Sequence, residues 1–121
     1  MKFTKILILT YDIGVAHMMQ IALAAQGFAT MGTTENGIFK DIYSFQPHVL
    51  ILEYKSNRTI RGNTFYEQIS LQLQKANIPI ILVTSNQEIV EGAKINANEY
   101  ILKPVDYFDL CNTVKKILYI E

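Results

Sequence analysis

One cysteine, Cys111, is all the chain carries. That excludes an internal disulfide framework and any cysteine-rich metal site. Neither sign of charge is in excess, with eleven lysines and arginines against eleven aspartates and glutamates. A neutral domain has no global field to draw nucleic acid or an acidic membrane. No apolar run approaches the roughly 20 residues that crossing a bilayer needs. The opening MKFTKILIL joins a basic patch to a short apolar run, and no small-residue cleavage site follows, so it is not read as a signal peptide. No glycine-rich phosphate loop follows the first apolar run, and no Cys-x5-Arg loop suggests a phosphatase. Linkers, low-complexity tracts and fixed-period repeats are absent too.

What is present suits a packed core. Half of the 121 residues are apolar and 18% are charged, the balance of one compact domain rather than a disordered chain. The expectation is a single cytoplasmic domain spanning 1–121.

Two periodicities alternate along it. KILIL (5–9) is a continuous aliphatic run. Val15, Met18, Met19 and Ala22 follow as a helical stripe that stops at Gly27. FATMGT (28–33) reads as a weaker strand, and Ile38, Ile42 and Phe45 as a second helix ended by Pro47. VLIL (49–52) is a strong strand, followed by a polar loop, KSNRTIRGN (55–63). Phe65, Ile69 and Leu73 mark a third helix, and IPIILV (78–83) a third strong strand. Ile89, Ala93 and Ala97 suggest a short fourth helix, EYIL (99–102) a short strand, and Leu110, Val114, Ile117 and Leu118 a final helix. Strand then helix, five times over, implies an α/β fold with a parallel sheet covered on both faces. In such sheets the site lies beyond the carboxyl ends of the strands. Thr10, Tyr11 and Asp12 follow strand one, Glu53 ends strand three, Thr84 and Ser85 follow strand four, and Lys103 and Pro104 follow strand five.

These positions resemble the receiver domain of two-component response regulators over essentially the whole chain. The likeness rests on KILIL through Gly27-Phe28, on PHVLILE (47–53), on IPIILVTS (78–85) and above all on NANEYILKPVD (96–106). It implies a doubly wound, five-stranded parallel sheet of flavodoxin-like (βα)5 type, strand order 2-1-3-4-5, in a three-layer αβα arrangement. It also implies phosphoryl transfer from a histidine kinase to an aspartate ending strand three, supported by Mg²⁺. By that likeness Thr84 is the phosphate-contacting hydroxyl, Lys103 the phosphate-contacting lysine, Tyr100 the aromatic switch, and Pro104 the proline that is often cis in the family. Glu53, however, stands where the accepting aspartate belongs. Thr10 and Tyr11 stand where the acidic pair belongs, which leaves Asp12 as the one acid of that pocket. The loop at 54–63 also lacks the usual proline and is about one residue longer.

Mg²⁺ demands close, near-octahedral oxygen ligands, usually including carboxylates. Thr10 offers a neutral hydroxyl, and Tyr11 a phenol that is protonated at neutral pH. Asp12 suits the cap of helix one better than a metal. No resident cofactor or metal is therefore expected. Glu53 is one methylene longer than aspartate and reaches towards the phosphoryl position. A partly buried Lys103 needs an anion, so a Glu53–Lys103 salt bridge is expected, against the bland alternative of a solvent-facing Glu53.

The expectation is a degenerate receiver: a signalling module, not an enzyme, acting by protein–protein contact without phosphorylation. Its partner would be a histidine kinase or an output protein. The resemblance also offers a homodimer through the fourth helix, fifth strand and fifth helix. No nucleic acid and no membrane are expected as partners. The alternative is a phospho-accepting receiver with atypical Mg²⁺ ligands, and a third reading is a small α/β enzyme or ligand binder using the same cleft. His17 and His48 lack partners for metal or proton transfer. Met18 and Met19 read as core, Cys111 as a partly buried apolar residue, and Tyr107, Phe108 and Tyr119 as core or as partner surface. Lys115 and Lys116 suit the dipole of the last helix and need no partner.

Overall fold

The computed structural model describes residues 4–54, 64–85 and 97–119. Strands β1 (Lys5–Leu9), β2 (Ala29–Gly32), β3 (Val49–Glu53), β4 (Ile80–Thr84) and β5 (Glu99–Leu102) form one sheet, in the order β2-β1-β3-β4-β5. All four pairings are parallel. Helices α1 (Ile13–Ala25), α2 (Ile38–Phe45), α3 (Thr64–Lys75) and α4 (Tyr107–Tyr119) connect or follow them. The loop expected at 55–63 lies outside the described residues, as does most of the helix expected around Ile89 and Ala93. Among the described residues, no helix is long and apolar enough to cross a membrane.

The aliphatic runs owe their continuity to burial on both sheet faces. Side chains alternate along a strand. Leu7, Leu9, Leu50, Leu52, Ile80 and Leu82 therefore join Ile38 and Ile42 of α2 and Phe65, Ile69 and Leu73 of α3 in one core. Ile6, Ile8, Val49, Ile51, Ile81 and Val83 join Met19 and Leu23 of α1 and Leu110 and Val114 of α4 in the other. On edge strand β5, Ile101 packs inward, while Tyr100 and Leu102 are exposed.

Helices α1 and α3 stop by the same device. The amide of Phe28 returns to the carbonyl of Leu23 and that of Gly27 to Ala24; the amides of Ile78 and Asn77 return to Leu73 and Gln74 in the same way. Such a closure needs a left-handed residue after the cap, supplied by Gly27 at φ 91° and Asn77 at φ 58°. Each helix is thereby released directly towards the next strand.

Two expectations require correction. Met18 is not core; it is 47% exposed. The buried side of α1 is centred on Met19 and Leu23, and Met18 lies about 100° round the helix from Met19. Lys115 and Lys116 do have partners. Lys116 pairs with Glu99 at 3.1 Å, and Lys115 donates to Gln26. Both contacts tie α4 to its neighbours. Cys111 is buried, its thiol directed to the carbonyl of Ala22 at 3.6 Å, and burial pushes the thiol's pKa up. His48 has a structural partner: its Nδ1 accepts from the Lys5 amide at 2.9 Å. His17 is exposed.

Candidate functional site

Parallel register brings the carboxyl ends of the strands to one edge of the sheet. Leu9 is level with Leu52, Glu53 with Val83, and Thr84 with Leu102. The residues just beyond, Thr10 to Asp12 and Lys103, therefore close round Glu53 and Thr84. The backbone seals this edge further: the Tyr54 amide donates to Val83 O at 2.8 Å, and the Lys103 amide to Thr84 O at 2.9 Å. The Lys103–Pro104 peptide bond is cis.

Glu53 is the centre of the arrangement and is only 1% exposed. Its Oε1 accepts from the Tyr11 backbone N–H at 2.8 Å. Its Oε2 accepts from Lys103 Nζ in a direct ion pair, with the Lys103 side chain 20% exposed. A carboxylate removed from water requires compensation of this kind. The salt bridge expected from the sequence is present, and the backbone of β1's exit loop adds a second donor. Among the described residues, no buried side-chain nitrogen or oxygen lacks a hydrogen-bond partner.

Tyr11 contributes twice, by backbone and by side chain. Its phenol meets the Tyr66 hydroxyl at 2.8 Å and is hydrogen-bonded to Glu35. In the Tyr11–Tyr66 bond either hydroxyl can be the donor. Burial, then the bonds to Tyr66 and Glu35, hold the Tyr11 phenol protonated far above the ordinary tyrosine range. The ring of Tyr66 rests against Tyr54 at 4.7 Å and Phe65 at 5.4 Å. A phenol on an aromatic cluster thus fills the ground beside Glu53.

Asp12 and Thr10 are engaged locally. Asp12 is the N-cap of α1, its Oδ1 accepting from the Val15 amide at 3.1 Å. The Thr10 hydroxyl donates to the Asp12 carbonyl at 3.0 Å. Thr84 is 2% exposed at the end of β4. Tyr100 lies on the exposed side of β5, away from this cleft's interior. The donor set does not suit Mg²⁺: one carboxylate is a helix cap, one is ion-paired, and the other two groups are neutral. Among the described residues, no cluster of three His, Cys, Asp or Glu could hold a metal ion.

Sequence reasoning overlooked Tyr66, Tyr54 and Glu35. Tyr66 was legible, since it shares a face with Ile69, Ser70 and Leu73 at helical spacing, and all four are buried. Glu35 gave no signal. It sits in a polar turn, and only its buried place, 8% exposed, singles it out. A larger cavity of about 580 Å³ lies beside Asn77, Ile78, Asn98 and Glu99, at the opposite ends of β4 and β5, and is no part of this site.

Solved structures similar to this one include proteins described as response regulators and receiver domains. No protein-family model matches the chain. A protein from Chloroflexus aurantiacus J-10-fl, described as a response regulator, superposes with a TM-score of 0.82 at 25% identity, covering 98% of this chain and 100% of that one. A CheY-like response regulator receiver domain protein from Methanospirillum hungatei JF-1 gives 0.79 at 21% identity, covering 97% and 94%. Fold and strand order are those of a CheY-like receiver domain. In sequence, the chain is similar to the regulatory protein AtoC of Escherichia coli (strain K12), with 28% identity over 124 residues and 97% of this chain covered. It spans 26% of AtoC's length.

Proposed function

We propose that this chain is a degenerate receiver module of two-component signalling that works by protein–protein contact and does not depend on phosphorylation. One observation carries the reading: the carboxylate at the acceptor position has both oxygens engaged, by Lys103 and by the Tyr11 amide. Phosphoryl transfer draws its catalysis from positioning and from neutralising charge around the transferred group. Here the lysine that would receive phosphoryl oxygens already holds an anion. The places of the acidic pair are taken by a helix-linked hydroxyl and a half-buried phenol, so no divalent ion is assigned to the pocket. Likeness to AtoC and to receiver structures supports a signalling role, with a histidine kinase or an output protein as partner in the cytoplasm.

The surface for that partner is the one formed by β5 and α4. Tyr100, Leu102 and Phe108 are exposed there. A shallow cavity of about 410 Å³ lies among Tyr100, Leu102, Pro104, Asp109, Thr113 and Lys116. Aromatic and aliphatic groups ringed by polar ones suit a protein interface.

The test is incubation with acetyl phosphate and Mg²⁺, read by intact-protein mass and by amide chemical shifts around Glu53. An unchanged mass and spectrum are expected. A species heavier by one phosphoryl group would overturn the reading and leave a phospho-accepting receiver with unusual ligands.

A further inference from the structure

Helix α1 contains no lysine, arginine, aspartate or glutamate; its thirteen residues read IGVAHMMQIALAA. One side packs inward through Met19 and Leu23, with Val15 and Ala22 beside them. The opposite side of a surface helix ordinarily carries its charges, and a helix apolar all round is ordinarily a buried one. Here the outer side is apolar and exposed. Gly14, Met18, Ile21 and Ala25 all face solvent, with Met18 at 47% and Ile21 at 52% exposure. Their spacing of four, three and four residues is that of a seam along which one helix packs against another.

The four residues run small, large, large, small. Let a second copy lie antiparallel, about a two-fold axis level with the midpoint between Met19 and Gln20. Gly14 of one copy then faces Ala25 of the other, and Met18 faces Ile21. The seam is its own complement. We propose that it is an isologous contact between two copies of this chain, α1 against α1.

Charge singles out this occupant. A two-fold contact sets a patch against itself, so any charge on the axis would meet its like. The α1 face carries no lysine, arginine, aspartate or glutamate, and its one titratable side chain is the exposed His17. The β5–α4 face, by contrast, carries Asp106, Asp109 and Lys116 around its cavity. A contact along one helix of this length falls below about 1,200 Å² of buried surface, the range of weak and transient pairs. The dimer is therefore reversible and concentration-dependent. It does not rest on the Glu53–Lys103 pair and holds whether or not the chain accepts phosphate.

Sedimentation equilibrium of the chain from micromolar to millimolar concentration tests it. The average mass should climb from that of the 13.8 kDa monomer towards twice that value. Ile21→Asp should weaken the dimer at least about tenfold, by placing like charges together. Leu102→Asp on the β5 face should leave it intact, with circular dichroism showing both variants folded. In a Cys111→Ala background, a mixture of Met18→Cys and Ile21→Cys chains should form the mixed disulfide faster than either homodisulfide. A monomer at every concentration would overturn the proposal. So would a dimer abolished by Leu102→Asp but not by Ile21→Asp, or homodisulfides that outrun the mixed one.

Discussion

Glu53 and Lys103 form their ion pair across an intervening strand. β3 and β5 are not neighbours; β4 lies between them. Strands pair about 4.8 Å apart, so the two backbones stand roughly 10 Å from each other. The long Lys103 side chain crosses most of that gap, and the Glu53 carboxylate meets it. The pair is therefore also a tie across the carboxyl edge of the sheet. Removing one member leaves the other uncompensated. Lys103→Met should cost about 3 kcal/mol, towards the lower end for buried pairs because Lys103 keeps some contact with water. The double variant Glu53→Gln with Lys103→Met should recover part of that loss, since a neutral amide needs no counter-charge. Urea denaturation of the four proteins measures the coupling. Costs that simply add would mean that the contact contributes nothing.

Tyr11 ought to reveal itself at alkaline pH. Burial and its bonds to Tyr66 and Glu35 raise its folded pKa above the unfolded value near 10. The sign follows directly. Below about pH 10 both states keep the phenol protonated, and its contribution to stability is complete. As pH rises further, the unfolded chain releases the proton while the folded one retains it, and stability falls. In a spectrophotometric titration, Tyr11→Phe should lack one late-ionising phenol, and its stability should decline less steeply above pH 10 than that of the wild type. Equal slopes in the two proteins would place Tyr11 in a wetter setting than the structure gives it. Tyr66→Phe should lower stability by about 1 kcal/mol, the worth of one hydrogen bond.

Strands were the most legible part of the chain, because burial on two faces writes itself as unbroken Leu, Ile and Val. KILIL and EYIL coincide with β1 and β5, and VLIL with β3 but for Glu53, its last residue. The helical stripe of α1 was harder to assign. Its apolar residues occupy every side, so periodicity alone could not tell Met18 from Met19, and only packing against the sheet decides. The carboxyl-end residues followed from topology, and chain order brought Glu53 to Lys103 as soon as β3 and β5 were identified. Tyr11's double contact was not legible. Its amide reaches Glu53 through the path of the exit loop, and its phenol reaches Glu35 and Tyr66, residues far apart in sequence that only the fold brings together.

Asp12 tests whether this pocket's remaining acid is a cap or a ligand. Its Oδ1 accepts from the Val15 amide at the first turn of α1. Asp12→Ala should lower stability by about 1 kcal/mol, the usual loss on removing an N-cap. Asp12→Ser should restore most of that, because a hydroxyl caps nearly as well. Thermal unfolding with and without Mg²⁺ separates the roles. A cap residue gives the same difference in both buffers. A loss that appears only with Mg²⁺ present would mark Asp12 as a metal ligand.

Restoring the acids should reverse the chemistry. Tyr11→Asp together with Glu53→Asp replaces a half-buried phenol and a paired glutamate with two short carboxylates beside Asp12. Charge repulsion among three close acids then favours a divalent ion. The double variant should be stabilised by Mg²⁺, with a melting temperature that rises as the ion is added, in the manner of any ligand that binds only the folded state. It should also gain the mass of one phosphoryl group from acetyl phosphate, while the wild type does neither. Loss of the Tyr11 contacts to Tyr66 and Glu35 lowers the starting stability, so the comparison is made at a temperature where circular dichroism shows the variant folded. A folded variant blind to Mg²⁺ would mean that more than side-chain identity separates this cleft from a metal site, and would turn attention to the course of the backbone through Thr10 and Asp12.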